Sequence, residues 1–153
     1  MSATRTAFGF PSAEWVSACG AAIDASAAYR SAAAEWTYGA VALVVQPAPD
    51  LGLADPVALW LDLDRGRCTG ARLVSATDAT QASFEITAEY ATWKAVLRRE
   101  LAPVAGIMRG KLKLRGSLAV VVRNIGTAEA LVDAATTVPT SFLDEKTPGH
   151  SGG

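Results

Sequence analysis

The segment 57–74 constrains the fold more than any other stretch of the chain. Between residues 59 and 64, three leucines alternate with polar or amphipathic side chains. Alternation with a period of two is typical of a strand that buries one face. Arg65 and Gly66 follow at a point where a two-residue turn with positive φ angles would join antiparallel strands. The segment therefore predicts a β-hairpin whose leucines share one face of a sheet.

Three further stretches predict strands. Residues 38–46 form a β-branched run, and residues 82–87 alternate apolar with polar side chains. In residues 111–115 leucine alternates strictly with lysine or arginine. A period of two turns Leu112 and Leu114 inward and the cations outward. With the hairpin, this makes five strands.

Apolar residues at three- and four-residue steps predict three longer helices, over 12–36, 90–101 and 117–134. Ser12 is a suitable N-cap for the first helix, Pro103 starts a short helical turn, and Gly126 is the expected break in the last helix. Consecutive strands before a helix pair predict an α+β fold with a largely antiparallel sheet. We expect the polar end, 144–153, to be frayed.

Composition narrows the classes of protein and partner. The chain has 153 residues, half of them apolar and 19% charged, which predicts one globular domain. A net charge of −1 argues against a nucleic-acid partner. No apolar stretch approaches the ~20 residues that cross a bilayer, and the N-terminus lacks the pattern of a signal peptide, so we expect a cytoplasmic protein. Cys19 and Cys68 have no metal or redox spacing; buried free thiols are favoured over a disulfide.

The stretch FEITAEYATWKAVLRRELAPVAGIMRGKLKLRGSLAVVVRN resembles the C-terminal half of the sterol carrier protein 2 (SCP-2) family. The matching features follow one another in the family's order. They are a strand that ends in I-T (86–87), a helix (90–101), an L-x-P motif (101–103), a methionine (Met108) and a G-K-L-K-L-x-G strand (110–116) before an apolar helix. The L-D-L-D-R-G hairpin and the long first helix also agree. The resemblance spans about residues 12–125. The loop 47–56 and the segment after Gly126 have no counterpart in this pattern.

This resemblance implies a five-stranded, mostly antiparallel sheet layered with helices, and an apolar cavity between them. In the family, such a cavity accepts fatty acids, acyl-CoA esters, sterols or phospholipids. It implies a single bacterial lipid-binding domain over 1–138, with 139–153 as an extension. The residues that could line the cavity are Trp93, Leu97, Ile107, Met108, Leu112, Leu114, Leu118, Val121 and Val122. Each is equally well explained as ordinary core, although the flexible thioether of Met108 favours a ligand-facing role.

Seven cations cluster in the second half of the chain: Lys94, Arg98, Arg99, Arg109, Lys111, Lys113 and Arg115. A solvated face is the ordinary explanation for such charges. The functional alternative is a weak patch for anionic lipid head groups, each cation contributing about 1 kcal/mol near a membrane surface.

The sequence offers little for catalysis. Its one histidine, His150, lies in the polar tail, and no nucleophile-elbow, P-loop or zinc-protease motif occurs. Asp62 and Asp64 share a strand face and could form a carboxylate pair, but solvent exposure is the simpler interpretation. Arg123 and Asn124 could either meet a ligand head group or end a helix.

Three functions therefore remain. The first is a carrier, without cofactor or metal, of a hydrophobic small molecule or lipid. The second is an enzyme that uses the same cavity to cyclise or isomerise a polyketide or steroid-like intermediate. Carboxyl or tyrosyl groups with strongly perturbed pKa values inside the cavity would favour it, with Tyr38, Glu85 and Tyr90 as the candidates. The third is a module that docks a partner protein through an exposed apolar patch. The oligomeric state is left open.

Overall fold

The computed structural model describes residues 7–145, which form seven β-strands and seven α-helices. The strands are β1 (Phe8–Phe10), β2 (Val41–Val45), β3 (Val57–Asp64), β4 (Arg67–Val74), β5 (Phe84–Ala88), β6 (Lys113–Arg115) and β7 (Thr140–Phe142). The helices are α1 (Ala13–Ala25), α2 (Ala27–Ala32), α3 (Ala76–Ala79), α4 (Tyr90–Leu97), α5 (Pro103–Met108), α6 (Leu118–Arg123) and α7 (Ile125–Ala135). Most of the predicted tail, residues 146–153 with His150, lies outside the described residues.

Five strands form the main sheet in the order β4-β3-β2-β5-β6. Three of the four neighbouring pairs are antiparallel, and the pair formed by the central strand β2 and β5 is parallel. The parallel pair arises because the chain leaves the β3–β4 hairpin at one edge and passes through α3 to the other side of β2. The predicted α+β class with a five-stranded, mostly antiparallel sheet is confirmed.

The hairpin forms as its pattern predicts. The turn residues Arg65 and Gly66 have φ angles of 48° and 84°, as a two-residue turn between twisted antiparallel strands requires. Leu59, Leu61 and Leu63 are each at most 4% exposed and lie on the face covered by the larger helices. The opposite face of β2 and β3 packs against α3 through small side chains.

The predicted helix over 12–36 is instead two helices, α1 and α2, that meet at Ser26. Ser12 caps α1 as predicted, because its hydroxyl accepts the N–H of Trp15 at 3.1 Å. Ser26 ends α1 in extended backbone and accepts the N–H of Tyr29 at 3.0 Å, which starts α2. Serine competes with the helix for backbone hydrogen bonds, so a serine inside an apolar periodicity can divide a helix.

Asp24 fixes α1 to the edge strand β4. Its carboxylate accepts two hydrogen bonds from the guanidinium of Arg67, at 2.7 and 2.9 Å, and one from the N–H of Cys68 at 3.0 Å. The bonds from Arg67, and then the one from Cys68, lower the pKa of Asp24 to about 2. Gly20 allows the close approach, since a Cβ there would collide with Ala71.

The predicted last helix is also divided, but two residues before Gly126. Asn124 separates α6 from α7, with φ −120° and ψ 38°, and its side-chain amide donates to the carbonyl of Val120 at 2.7 Å. The side chain of Asn124 thus satisfies a carbonyl at the end of α6, which explains why the break falls there. The sequence left open whether Asn124 contacts a ligand head group or ends a helix; in the structure it ends α6.

A small parallel sheet joins the two ends of the described chain. In it Phe8 pairs with Thr140 and Phe10 with Phe142. The hydroxyl of Tyr90 donates to the carbonyl of Phe10 at 2.7 Å and accepts the N–H of Leu143 at 2.9 Å. Strand β7 belongs to the stretch that the sequence places in an extension; the division at residue 138 stays a prediction.

Cys19 and Cys68 are buried free thiols, as predicted. Burial is the main reason why the pKa of Cys19 rises to about 12. None of the helices in residues 7–145 is long and apolar enough to cross a bilayer.

Candidate functional site

An apolar cavity lies between the main sheet and the helices of the C-terminal half; we call it the inner cavity. It has a volume of about 110 Å³. The sheet supplies alternate residues of three strands, and these point to one face because side chains alternate along a strand. They are Val41 and Leu43 of β2, Leu61 and Leu63 of β3, and Phe84 and Ile86 of β5.

The other walls of the inner cavity come from the helices and the segments beside them. They are Trp36, Trp93, Val96, Pro103, Leu112, Val121, Thr127, Ala128, Leu131 and Val132. The polar atoms among them have protein partners. The Thr127 hydroxyl donates to the carbonyl of Ala32 at 2.9 Å, and the indole N–H groups of Trp36 and Trp93 donate to backbone carbonyls at 3.0 and 2.9 Å. The wall therefore presents almost only carbon to the inner cavity.

A second, smaller void lies next to the first on the side of α1; we call it the side cavity. It measures about 40 Å³ and is also lined by apolar side chains. Five residues line both voids, namely Leu43, Trp93, Val96, Leu131 and Val132. Leu97 and Trp15 are among the residues that line the side cavity but not the inner cavity.

A third cavity, of about 220 Å³, opens toward solvent between the α4–α5 connection and α7; we call it the outer cavity. It shares Val96, Pro103 and Val132 with the inner cavity. The apolar void and the open cavity are thus neighbours in the fold. The outer cavity also has three charged lining residues, Arg99, Glu129 and Asp133, as well as Leu101 and Ala102.

Arg99 and Asp133 form an ion pair across the outer cavity, with 2.8 Å between Nη1 and Oδ1. Both side chains are more than half exposed. Arg99 has a φ of 62°, a left-handed conformation that favours glycine. It occupies this conformation where α4 ends, and its N–H donates to the carbonyl of Val96 at 3.0 Å.

The structure brings only part of the predicted site residues to these cavities. Trp93, Leu112 and Val121 line the inner cavity, and Leu97 lines the side cavity. Ile107 and Leu114 are partly buried against the core and do not line the inner, side or outer cavity. The remaining three point to solvent: Met108 is 65% exposed, and Leu118 and Val122 are each 43% exposed.

The seven cations fall into two groups. Four form ion pairs: Lys94 with Asp144 and Glu145, Arg98 with Glu100 and Glu145, Arg99 with Asp133, and Arg115 with Glu85. The other three, Arg109, Lys111 and Lys113, are exposed and make no ion pair with any residue in the range 7–145.

The polar groups that would favour an enzyme lie elsewhere. Glu85 pairs with Arg115 at 2.8 Å, Tyr90 bonds the backbone at both ends of the described chain, and Tyr38 is 38% exposed. Asp62 bonds the indole of Trp60 and the guanidinium of Arg72, at 2.7 and 2.8 Å. Within residues 7–145 no cluster of histidine, cysteine or acidic side chains could hold a metal ion.

Sequence reasoning missed the sheet side of the inner cavity and all of α7. The signal for the sheet side is present, because the same alternation that predicts the hairpin turns Leu61 and Leu63 inward. It does not say that the space beside them is left unfilled. The charged outer cavity has no signal of its own in the sequence, since Arg99 and Asp133 are 34 positions apart and meet only in the fold.

Comparison with known proteins places this fold. A model of the SCP-2 sterol transfer family matches residues 21–129, more than half of the chain. The chain belongs to the SCP-2 sterol transfer family. No curated protein matches the sequence.

Solved structures of SCP-2 proteins agree. The chain is similar to the crystal structure of a sterol carrier protein 2, with 38% identity, a TM-score of 0.77, and coverage of 83% of this chain and 97% of that one. It is similar to a conserved hypothetical protein of Thermus thermophilus, described as possibly a sterol carrier protein, with 38% identity, a TM-score of 0.76, and coverage of 84% and 88%. Sterol carrier protein 2 of Yarrowia lipolytica shares the fold, with 14% identity, a TM-score of 0.51, and coverage of 80% and 88%.

Proposed function

We propose that this chain binds a hydrophobic ligand in the inner cavity and carries it through the cytoplasm. The observation that carries the proposal is the void between sheet and helices whose wall presents almost only carbon. Membership of a sterol transfer family supports it. Fatty acids, acyl-CoA esters, sterol-like molecules and phospholipids are the candidate ligands.

The physics of such a site is simple. Burial of apolar surface contributes about 0.8 kcal/mol per methylene, so an alkyl chain gains affinity without a dedicated polar contact. Apolar voids of about 150 Å³ bind molecules as small as benzene, whereas pockets for larger ligands span about 300–1,000 Å³. The inner and side cavities, at about 110 and 40 Å³, are at the lower limit. A longer ligand therefore has to displace part of the wall.

Helix α6 is the part of that wall that we expect to move. None of its six residues is fully buried, and its half-buried residues Val120 and Val121 pack against the core. Segments with few buried apolar contacts open at the lowest free energy. Movement of α6 would enlarge the inner cavity on the side where Val121 lines it.

The test exploits two adjacent valines of α6. Val121 lines the inner cavity, whereas Val122 is 43% exposed and does not. We expect the purified protein and Val122→Trp to gain one ligand mass in native mass spectrometry when fatty acid, acyl-CoA, sterol or phospholipid is added. Val121→Trp should lose this gain, because the indole occupies the void, while its circular dichroism stays that of the parent. A parent protein that gains no mass with any of the four ligands would contradict the proposed function.

We also propose a weak contact with anionic membrane surfaces through the turn that follows α5. Met108, the most exposed large apolar residue described, is next to Arg109 and close to Lys111 and Lys113. An apolar tip beside unpaired cations favours an anionic bilayer surface, at about 1 kcal/mol per cation.

Sedimentation with vesicles of phosphatidylcholine, with and without phosphatidylglycerol, tests the contact. Glutamine at Arg109, Lys111 and Lys113 should abolish the extra binding to the anionic vesicles. The control replaces Lys94, Arg98 and Arg115, which gives the same change of net charge at ion-paired positions. Equal losses in both triple variants would contradict a defined patch.

The enzyme hypothesis gains no specific support. Of the described residues that line the inner cavity, Thr127 alone has a hydroxyl, and that hydroxyl donates to the carbonyl of Ala32. The lining contains no carboxylate, imidazole or amine. The geometry favours the carrier.

A further inference from the structure

The outer cavity lies next to the inner cavity, where it could bind the part of a ligand that does not fit into the inner cavity. Val96, Pro103 and Val132 line both cavities, which are therefore adjacent. The inner and side cavities together are smaller than the pockets that hold drug-sized ligands, and only with the outer cavity does the volume reach that range. For a lipid whose tail occupies the inner cavity, the outer cavity is an adjoining space that can receive the head group.

The charges of the outer cavity suit some head groups better than others. It presents one cation, Arg99, and two carboxylates, Asp133 and Glu129. A fatty-acid carboxylate would pair with Arg99 but would lie beside two like charges. An uncharged hydroxyl head group would form no ion pair with Arg99, Asp133 or Glu129. A head group with both a phosphate and an ammonium gives the arginine an anion, in the bidentate geometry that guanidinium favours, and gives the carboxylates a cation.

The backbone conformation of Arg99 independently supports a ligand-binding role for this residue. A non-glycine residue at φ 62° is conformationally costly, and such residues cluster at ligand sites. Helix α5 ends with the same hydrogen-bond pattern as α4 but has Gly110 in the left-handed position, at φ 76°. An exposed ion pair with Asp133 is too weak to account for arginine in place of glycine.

We propose that the outer cavity binds the zwitterionic head group, of phosphocholine or phosphoethanolamine type, of a single-chain lipid. The phosphate lies on Arg99, the ammonium lies between Asp133 and Glu129, and the tail passes Val96 and Val132 into the inner cavity. This assignment rests on the proposed function, because it requires the tail to occupy the inner cavity.

Three ligands of equal chain length test the assignment: a lysophosphatidylcholine, a fatty acid and a fatty alcohol, each below its micelle concentration. A Trp60→Phe background removes the tryptophan that lines neither the inner nor the side cavity. The fluorescence of the other three tryptophans, which line one or both of these cavities, then reports binding of the tail for all three ligands. We expect the lysophosphatidylcholine to bind roughly fivefold more tightly than the other two, as exposed charge pairs allow.

Arg99→Asn should remove that preference and leave the affinity for the alcohol unchanged; asparagine tolerates the left-handed backbone and has no charge. Glu129→Gln should reduce the preference in the same sense. Arg98→Asn is the matched control, because Arg98 is the adjacent arginine and does not line the outer cavity. It should bind all three ligands like the parent.

Equal affinity of the parent for the three ligands would overturn the head-group assignment and leave the carrier proposal standing. So would a fatty acid that binds most tightly, or an Arg99→Asn variant that loses the alcohol as strongly as the phospholipid. If the parent binds none of the three and none of the other candidate ligands, the proposed function itself fails.

Discussion

Helices α4 and α5 end in the same way and differ in the residue at the left-handed position. In both, the second residue after the cap donates its N–H to the carbonyl five residues earlier, at 2.8 Å after α4 and 2.9 Å after α5. In both, the first residue after the cap donates to the carbonyl three residues earlier, at 3.0 Å. That first residue is Arg99 after α4 and Gly110 after α5, with φ angles of 62° and 76°. This is the Schellman arrangement, in which glycine is preferred.

The difference shows where the chain accepts a conformational cost. A Cβ on Gly110 would meet nothing within 4 Å, so glycine is there for its backbone alone. At Arg99 the left-handed backbone costs about 1–2 kcal/mol for a residue with a Cβ. Its side chain lines the outer cavity and contacts Asp133. Glycine after α5 thus avoids a conformational cost that arginine bears after α4.

The largest effect on this comparison should come from Gly110→Ala. Because the space around the new Cβ is open, the loss reports the left-handed backbone alone. We expect the free energy of unfolding to fall by about 1–2 kcal/mol in urea denaturation, with an unchanged m-value. A neutral result would show that this turn relaxes, and the cost inferred for Arg99 would then be too high.

Arg99→Gly should have a smaller effect of the opposite sign. Glycine removes the cost of the left-handed backbone but loses the ion pair with Asp133 and adds freedom to the unfolded chain. We expect a net gain of about 0.5 kcal/mol in the same denaturation experiment. Stabilisation together with loss of the phospholipid preference would separate the ligand role of Arg99 from any role in folding. A loss of stability would make the arginine a structural residue.

Asp133→Asn should have the smallest effect on stability, below about 0.5 kcal/mol. The ion pair is exposed, and a carboxylate in the last turn of α7 opposes the helix dipole, so removing it brings some relief. The small difference from the parent should shrink further in 1 M salt, where charges are screened over about 3 Å. A loss above about 1 kcal/mol would show that Asp133 holds Arg99 for stability, which contradicts the comparison.

Local pattern was sufficient for most of the fold. The hairpin turn at Arg65-Gly66 and the alternation in β6 follow from the period of two, and the cap at Ser12 follows from its hydroxyl. The sequence interpretation was wrong about where two helices are interrupted, and in both cases a polar side chain sets the position. Ser26 divides the first predicted helix, and Asn124, not Gly126, divides the last. Apolar periodicity continues across both breaks, so it cannot locate them.

The cavity was harder to predict than the fold. Helical and strand periods say which face of an element is apolar, and that was enough to select Trp93, Leu112 and Val121. They do not say whether the face is covered, so Leu118 and Val122 were selected by the same criterion and lie exposed. Met108, selected chiefly for its flexible thioether, is exposed as well. The sheet side of the wall was missed because a buried strand residue and a cavity-lining one have the same pattern.

By itself the sequence determined the five strands of the main sheet, most of the helical segments and the family, because these depend on alternation, capping and turn chemistry among residues close in the chain. Only the tertiary structure decided that a void remains between sheet and helices, and that Arg99, Glu129 and Asp133 line the outer cavity next to it. Packing density and the meeting of distant charges depend on how separate elements dock. The physical reason is that docking is set by the sum of all contacts, while a local pattern records only a few of them.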